Sequence, residues 1–160
     1  MTTTSATLPQ SIRPSRHIAV PALAATVGAV ALNAFGIWAD GTPSDGNEAL
    51  VTFLVVDVFI AVGAAVVFGW IVPRGLRRLE STGRAGAGAL VLSTLALLLV
   101  AVFWTGLPPV LAVGGIVLGL AGRGAERGGL ATAGAAVGLL AVLADIAVYI
   151  SDWMSTNGMM

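Results

Sequence analysis

The chain has 160 residues, of which 57% are hydrophobic and 10% charged, and its 8 basic and 8 acidic residues give a formal net charge of zero. Because an average soluble domain is about 25% charged, this composition excludes a soluble globule and indicates a chain solvated by a lipid bilayer. Cysteine is absent and His17 is the only histidine, which excludes disulfides, thiol nucleophiles and multi-histidine metal sites. No pattern indicates a cofactor, and the chain has no basic face for nucleic acid.

The N-terminal part is predicted to be a tail followed by a membrane span. Residues 1–17 are rich in Thr, Ser and Pro and carry Arg13 and Arg16, which indicates a disordered cytoplasmic tail. The apolar run 18–38 can cross a membrane, since about 20 residues at 1.5 Å each cover a core of roughly 30 Å. The alternative is a signal peptide cleaved near Ala34, but the run exceeds the usual apolar stretch of about 7–15 residues.

An acidic loop separates the first span from the second. Residues 39–49 carry three acidic side chains and no arginine: Asp40, Asp45 and Glu48. The apolar run 50–72 is predicted to be the second span, interrupted by Asp57. Pro73 is predicted to end this helix, because proline lacks the donor N–H and its ring clashes with the preceding turn.

A basic loop and a tight turn bound the third span, 87–104. The loop before it carries four arginines: Arg74, Arg77, Arg78 and Arg84. After it, Pro108 and Pro109 suit the first turn of a new helix. A single helix over 87–122 would be about 54 Å long, nearly twice the hydrocarbon core, so the chain must double back at this turn.

The fourth segment, 108–122, has two interpretations. At about 22 Å it is short for a span, and a re-entrant segment is the alternative. A spanning segment places Arg123 and Arg127 on the same side as the other arginines, which the positive-inside rule favours, with a cytoplasmic N-terminus. The fifth span is 130–150, and residues 151–160 form a short external tail.

The predicted fold is therefore an all-α, polytopic bundle, with a single transmembrane domain of five spans over 18–150. Its N-terminus is inside and its C-terminus is outside. Trp70 falls at the inner interface and three tryptophans fall at the outer one, as expected for aromatic belts: Trp38, Trp104 and Trp153. Arginine without lysine, among many Ala, Gly and Val residues, is typical of a bacterial protein, and the predicted location is the bacterial inner membrane.

Small residues are predicted to join the last two helices. Gly115 and Gly119 form one G-x-x-x-G motif, and Gly134 and Gly138 form a second. Such motifs let helix backbones approach closely where lipid removes the hydrophobic driving force. We expect the two helices to pack face to face as a hairpin; the alternative is that the same glycines form the interface of a homo-oligomer.

Three polar residues within the spans are predicted to share one depth. Counted from the outer helix ends, Asn33, Asp57 and Asp145 lie about 8 to 10 Å into the membrane. A carboxylate that faces lipid is costly, so both aspartates should face the bundle interior or a water-filled vestibule. If the carboxyls are adjacent, the pair would share a proton. The functional interpretation is a proton or cation site; the alternatives are interhelical hydrogen bonding and exposure at the interface.

The segment 108–150 resembles a family of small bacterial two-helix membrane domains of unknown function, in which an Arg/Gly loop joins a Pro- and Gly-containing helix to a Gly-rich helix. The matching residues are Pro109, Leu111, Gly115, Leu118, Gly119, Arg123, Arg127, Gly129, Leu130, Ala131, Ala133, Gly134 and Gly138. Asp145 lies outside the pattern. The resemblance implies a bacterial inner-membrane protein and supplies no catalytic residue.

Two functions remain after these exclusions, and neither is enzymatic, because the acids lack accompanying metal ligands or a nucleophile. The first is a scaffold or modulator of a membrane partner, which predicts sensitivity at the four motif glycines and tolerance at Asp57 and Asp145. The second is a small proton- or cation-coupled transporter, which predicts the reverse.

Overall fold

The computed structural model describes residues 15–38, 46–82, 86–124 and 128–159, and these residues form helices and no strand. Five helices are long and apolar enough to cross a membrane: Ile18–Trp38, Gly46–Thr82, Gly86–Thr105, Leu107–Gly124 and Gly128–Thr156. The predicted all-α class, with five helices long and apolar enough to span a membrane, is therefore confirmed. Several predicted features lie outside the described residues: most of the N-terminal tail with Arg13, the loop acids Asp40 and Asp45, and the arginines Arg84 and Arg127.

The helices are α1 (Ser15–Trp38), α2 (Gly46–Val66), α3 (Val72–Thr82), α4 (Gly86–Leu99), α5 (Leu107–Ala121) and α6 (Gly128–Thr156). A π-helical turn joins α2 to α3, and a 3-10 segment follows each of α4 and α5: Val67–Ile71, Val100–Thr105 and Gly122–Gly124. The predicted first span, 18–38, is confirmed, and the helix that contains it begins three residues earlier, at Ser15. The predicted end of the fifth span was wrong, because α6 continues six residues past 150 to Thr156.

The prediction that Pro73 ends the second helix was also wrong. The helix passes through Pro73 and continues to Thr82, giving 37 residues from Gly46. The physical reason is the π-turn before the proline, in which the Val72 N–H bonds to the Val67 carbonyl five residues back. A widened turn of this kind accommodates the missing N–H and the ring of proline. At about 56 Å, the combined helix is longer than a hydrocarbon core of roughly 30 Å.

The predicted reversal between the third and fourth spans is confirmed. Gly106 has a φ of 65°, in the left-handed region that favours glycine, and its N–H bonds to the Phe103 carbonyl at 3.0 Å. The helix α5 then begins at Leu107 with both prolines in its first turn. With the following 3-10 turn, this segment has 18 residues, which is long enough to cross and agrees with the spanning interpretation.

The bundle has a tight part and a looser part. Helices α4, α5 and α6 pack against one another along their lengths, whereas α1 and α2 pack mainly on each other and on α5. Aromatic pairs join the helices at one end, which we call the tryptophan end: Trp38 with Phe53, Phe35 with Trp153, and Phe103 with Tyr149. The opposite end carries the described arginines and is called the arginine end: Arg74, Arg77, Arg78 and Arg123.

Candidate functional site: a buried carboxyl beside α1

The motif glycines of α5 contact two different helices. A Cβ atom at Gly119 would lie 2.5 Å from the Ala131 carbonyl oxygen and 2.8 Å from the Ala135 Cβ, so this glycine packs on α6. A Cβ at Gly115 would overlap the Ser93 hydroxyl and lie 3.0 Å from the Ala89 carbonyl oxygen, so this glycine packs on α4. Gly119 therefore fits the predicted packing of α5 on α6, and Gly115 does not.

The motif glycines of α6 likewise involve α4. A Cβ at Gly134 would lie 2.7 Å from the Leu90 backbone nitrogen. A Cβ at Gly138 would lie 2.9 Å from the Ala112 carbonyl oxygen on α5 and 2.9 Å from the Ser93 hydroxyl on α4. All four glycines are buried within the chain. The predicted contact between two helices therefore involves three, α4, α5 and α6. The sequence did not indicate α4, because the residues by which α4 contacts these glycines, such as Ala89 and Ser93, are not glycines.

A hydrogen bond joins two of the three predicted polar residues. The Asn33 side-chain amide on α1 donates to the Asp57 carboxyl on α2 at 3.1 Å. Asn33 is buried and Asp57 is half-buried. This bond connects the two helices of the looser part, as expected for polar groups that hold membrane helices together.

The third predicted residue, Asp145 on α6, is not hydrogen-bonded to this pair. Its side chain is 1% exposed, and neither carboxyl oxygen has a hydrogen-bond partner among the described residues. An unsatisfied buried polar group costs about 1–3 kcal/mol, and more when it is charged. The expected cluster is therefore a bonded pair and a separate, unpartnered acid.

Asp145 lines an open groove of about 540 Å³ between α1, α5 and α6. The groove exists because α1 and α6 make few contacts with each other. The α1 wall is built largely of small residues, including Ala25 and Gly28, and the opposite wall of Val113 and Val142. Asp145 is the one polar side chain among the described residues that line it.

A second, smaller pocket of about 210 Å³ lies at the tryptophan end. Its lining includes the polar side chains of Asn33, Tyr149 and Asp152. The Tyr149 hydroxyl donates to the Phe103 carbonyl oxygen at 3.2 Å. Sequence reasoning missed Tyr149, although its position four residues after Asp145 places both on one face of α6.

The described residues offer no metal site, since no group of three or more His, Cys, Asp or Glu side chains among them could hold an ion. Comparison of the chain with models of known protein families, with curated proteins and with solved structures finds no match. The site consists of one buried carboxyl without a donor among the described residues, beside an apolar groove.

Proposed function

We propose that the protein is a non-enzymatic integral membrane protein that scaffolds or modulates a membrane partner, and that the Asp145 groove receives a helix of this partner. The observation that carries the proposal is the buried Asp145 carboxyl, which has no hydrogen-bond partner in the part of the chain that the structure describes. Polar residues within membrane spans are rare and usually functional. Because both carboxyl oxygens are enclosed, the Asp145 side chain must rotate towards the groove before a partner helix can supply the missing donor and remove the cost of this group.

The partner helix proposed here has an apolar face and one cationic side chain at the level of Asp145. The apolar face follows from the groove lining, in which Asp145 is the one polar side chain among described residues. The cationic group follows from charge complementarity, because a charge-assisted hydrogen bond is roughly twice as strong as a neutral one. No arginine lines the described part of the groove.

The four motif glycines do not distinguish this function from transport. Each is enclosed by other helices of the same chain, so substitution disturbs the fold whatever the protein does. A scaffold was expected to tolerate changes at Asp145, whereas the partner function proposed here requires its carboxyl. A crosslink to a partner, rather than loss of function alone, therefore separates this function from transport.

Site-specific photo-crosslinking in cells tests the partner. A photoreactive amino acid replaces Val142, which lines the groove, or Leu143, which is 56% exposed on the same helix and serves as the control. We expect a single protein adduct at position 142 that carries a transmembrane helix with a cationic residue, and its loss when Asp145→Asn is added. An adduct of equal yield with Asp145→Asn, or no protein adduct at position 142, would contradict the proposal.

Transport of a proton or cation by Asp57 and Asp145 is the second candidate. It is favoured by the pocket at the tryptophan end, whose polar lining leads to the Asn33–Asp57 pair. Towards the arginine end, however, α4, α5 and α6 close on one another at Gly119 and Gly134, which favours the partner function. Unchanged proton and cation flux in vesicles that contain the Asp57→Asn/Asp145→Asn variant would remove transport.

We infer further that the protein lies in a bacterial cytoplasmic membrane with the arginine end and the N-terminus inside. The native chain has no cysteine, so single substitutions report topology directly. Ser155 is exposed near the tryptophan end and Ser81 is exposed on α3. An impermeant maleimide should label Ser155→Cys in intact cells, and Ser81→Cys only after permeabilisation. The opposite labelling pattern would reverse the orientation.

A further inference from the structure

A basic pocket lies at the arginine end, away from the Asp145 groove. It has a volume of about 470 Å³ and is formed by the π-helical turn, α3, the start of α4 and the end of α5. Arg74 and Arg78 provide its charge, and Ile71 and Leu118 provide apolar walls. The pocket therefore combines two cations with a surface suited to hydrocarbon.

The two arginines share one face of α3, because residues four apart on a helix are neighbours. The Arg74 guanidinium lies 4.0 Å from the centre of the Trp70 ring, an arrangement that holds it by a cation–π interaction. Neither guanidinium forms an ion pair with a described carboxylate. Both remain able to donate to an anion.

The position of the pocket along the helix fits the headgroup layer. The helix from Gly46 to Thr82 has 37 residues, so α3 extends past a core of roughly 30 Å. Trp70 is 58% exposed beside the arginines, and tryptophan is enriched where hydrocarbon meets headgroups. Arg74 and Arg78 thus lie at the level of lipid phosphates, while Ile71 is nearer the acyl chains.

We propose that this pocket binds one anionic phospholipid. Arg74 and Arg78 donate to its phosphate oxygens, a geometry for which guanidinium is well suited. Ile71 and the exposed Trp70, which both line the pocket, contact the upper part of an acyl chain. The apolar walls distinguish a lipid from free phosphate, which would use the two arginines alone.

Native mass spectrometry of the full chain, purified in detergent, tests the site. Phosphatidylglycerol, phosphatidylcholine and inorganic phosphate are added separately at equal concentration. We expect one retained phosphatidylglycerol molecule and an apparent affinity about 25-fold lower in the Arg74→Gln/Arg78→Gln variant, at about fivefold for each arginine. Arg77→Gln is the matched control, because Arg77 lies on α3 outside the pocket and donates to the Pro73 carbonyl oxygen.

Three results would overturn the proposal. Phosphatidylcholine retained as tightly as phosphatidylglycerol would show that charge is not recognised. Inorganic phosphate that displaces the lipid at equal concentration would identify a phosphate site. An equal loss in Arg77→Gln would show a general effect of positive charge. Circular dichroism of each variant verifies the fold, which the exposed positions of these arginines should preserve.

Discussion

The Gly134→Ala variant is expected to lower the free energy of unfolding by about 1–3 kcal/mol, the usual cost of overpacking a tight contact. The added methyl carbon would lie 2.7 Å from the Leu90 backbone nitrogen and 2.8 Å from the Ala89 Cβ. Because the first of these is backbone, relief requires α4 to move away from α6. The same movement would disturb Gly115 and Ser93, which meet at this three-helix contact.

Gly28→Ala is the control for this substitution. Gly28 lies inside α1, and a Cβ there would meet no atom within 4 Å. Only the helix propensity changes, so stability should stay the same or rise by up to about 1 kcal/mol. Unfolding of the detergent-solubilised full chain in increasing SDS, followed by circular dichroism, measures both variants. Equal effects of the two substitutions would show that α4 and α6 do not depend on close approach at Gly134.

The sequence predicted the features that depend on length and local chemistry. Apolar runs of about 20 residues identify spans because the bilayer has a fixed thickness. The reversal at Gly106 follows from the length of the segment around it and from the two prolines that begin α5. These properties need no knowledge of which helix lies beside which.

The sequence did not predict the features that depend on which helices are neighbours and on how each helix is rotated about its axis. The G-x-x-x-G motifs identified Gly115 and Gly138 but not Ser93, their common neighbour on α4. Depth in the membrane grouped Asp145 with Asn33 and Asp57, but depth does not fix the direction in which a side chain points. The continuation of the second helix through Pro73 depends on a π-turn, and no residue pattern in this segment predicts that turn.

Asp145→Leu is expected to raise the free energy of unfolding by about 1–3 kcal/mol, the cost of leaving a buried polar group unsatisfied. Leucine removes an acceptor whose two oxygens have no hydrogen-bond partner within the described segments. The larger side chain avoids overpacking by rotating towards the adjoining groove of about 540 Å³, since the position of the carboxyl itself is enclosed. The same SDS titration of the isolated protein measures this change.

The control for Asp145→Leu is Asp152→Leu, on the same helix but exposed, and it should leave stability nearly unchanged. In cells, Asp145→Leu should abolish the crosslink from position 142, because the partner loses its acceptor. A protein that is more stable alone but no longer binds its partner would show that Asp145 is retained for binding at the expense of folding, a common compromise at functional sites. Reduced stability of Asp145→Leu would instead indicate that the carboxyl holds the bundle together, and the groove would lose its role in binding.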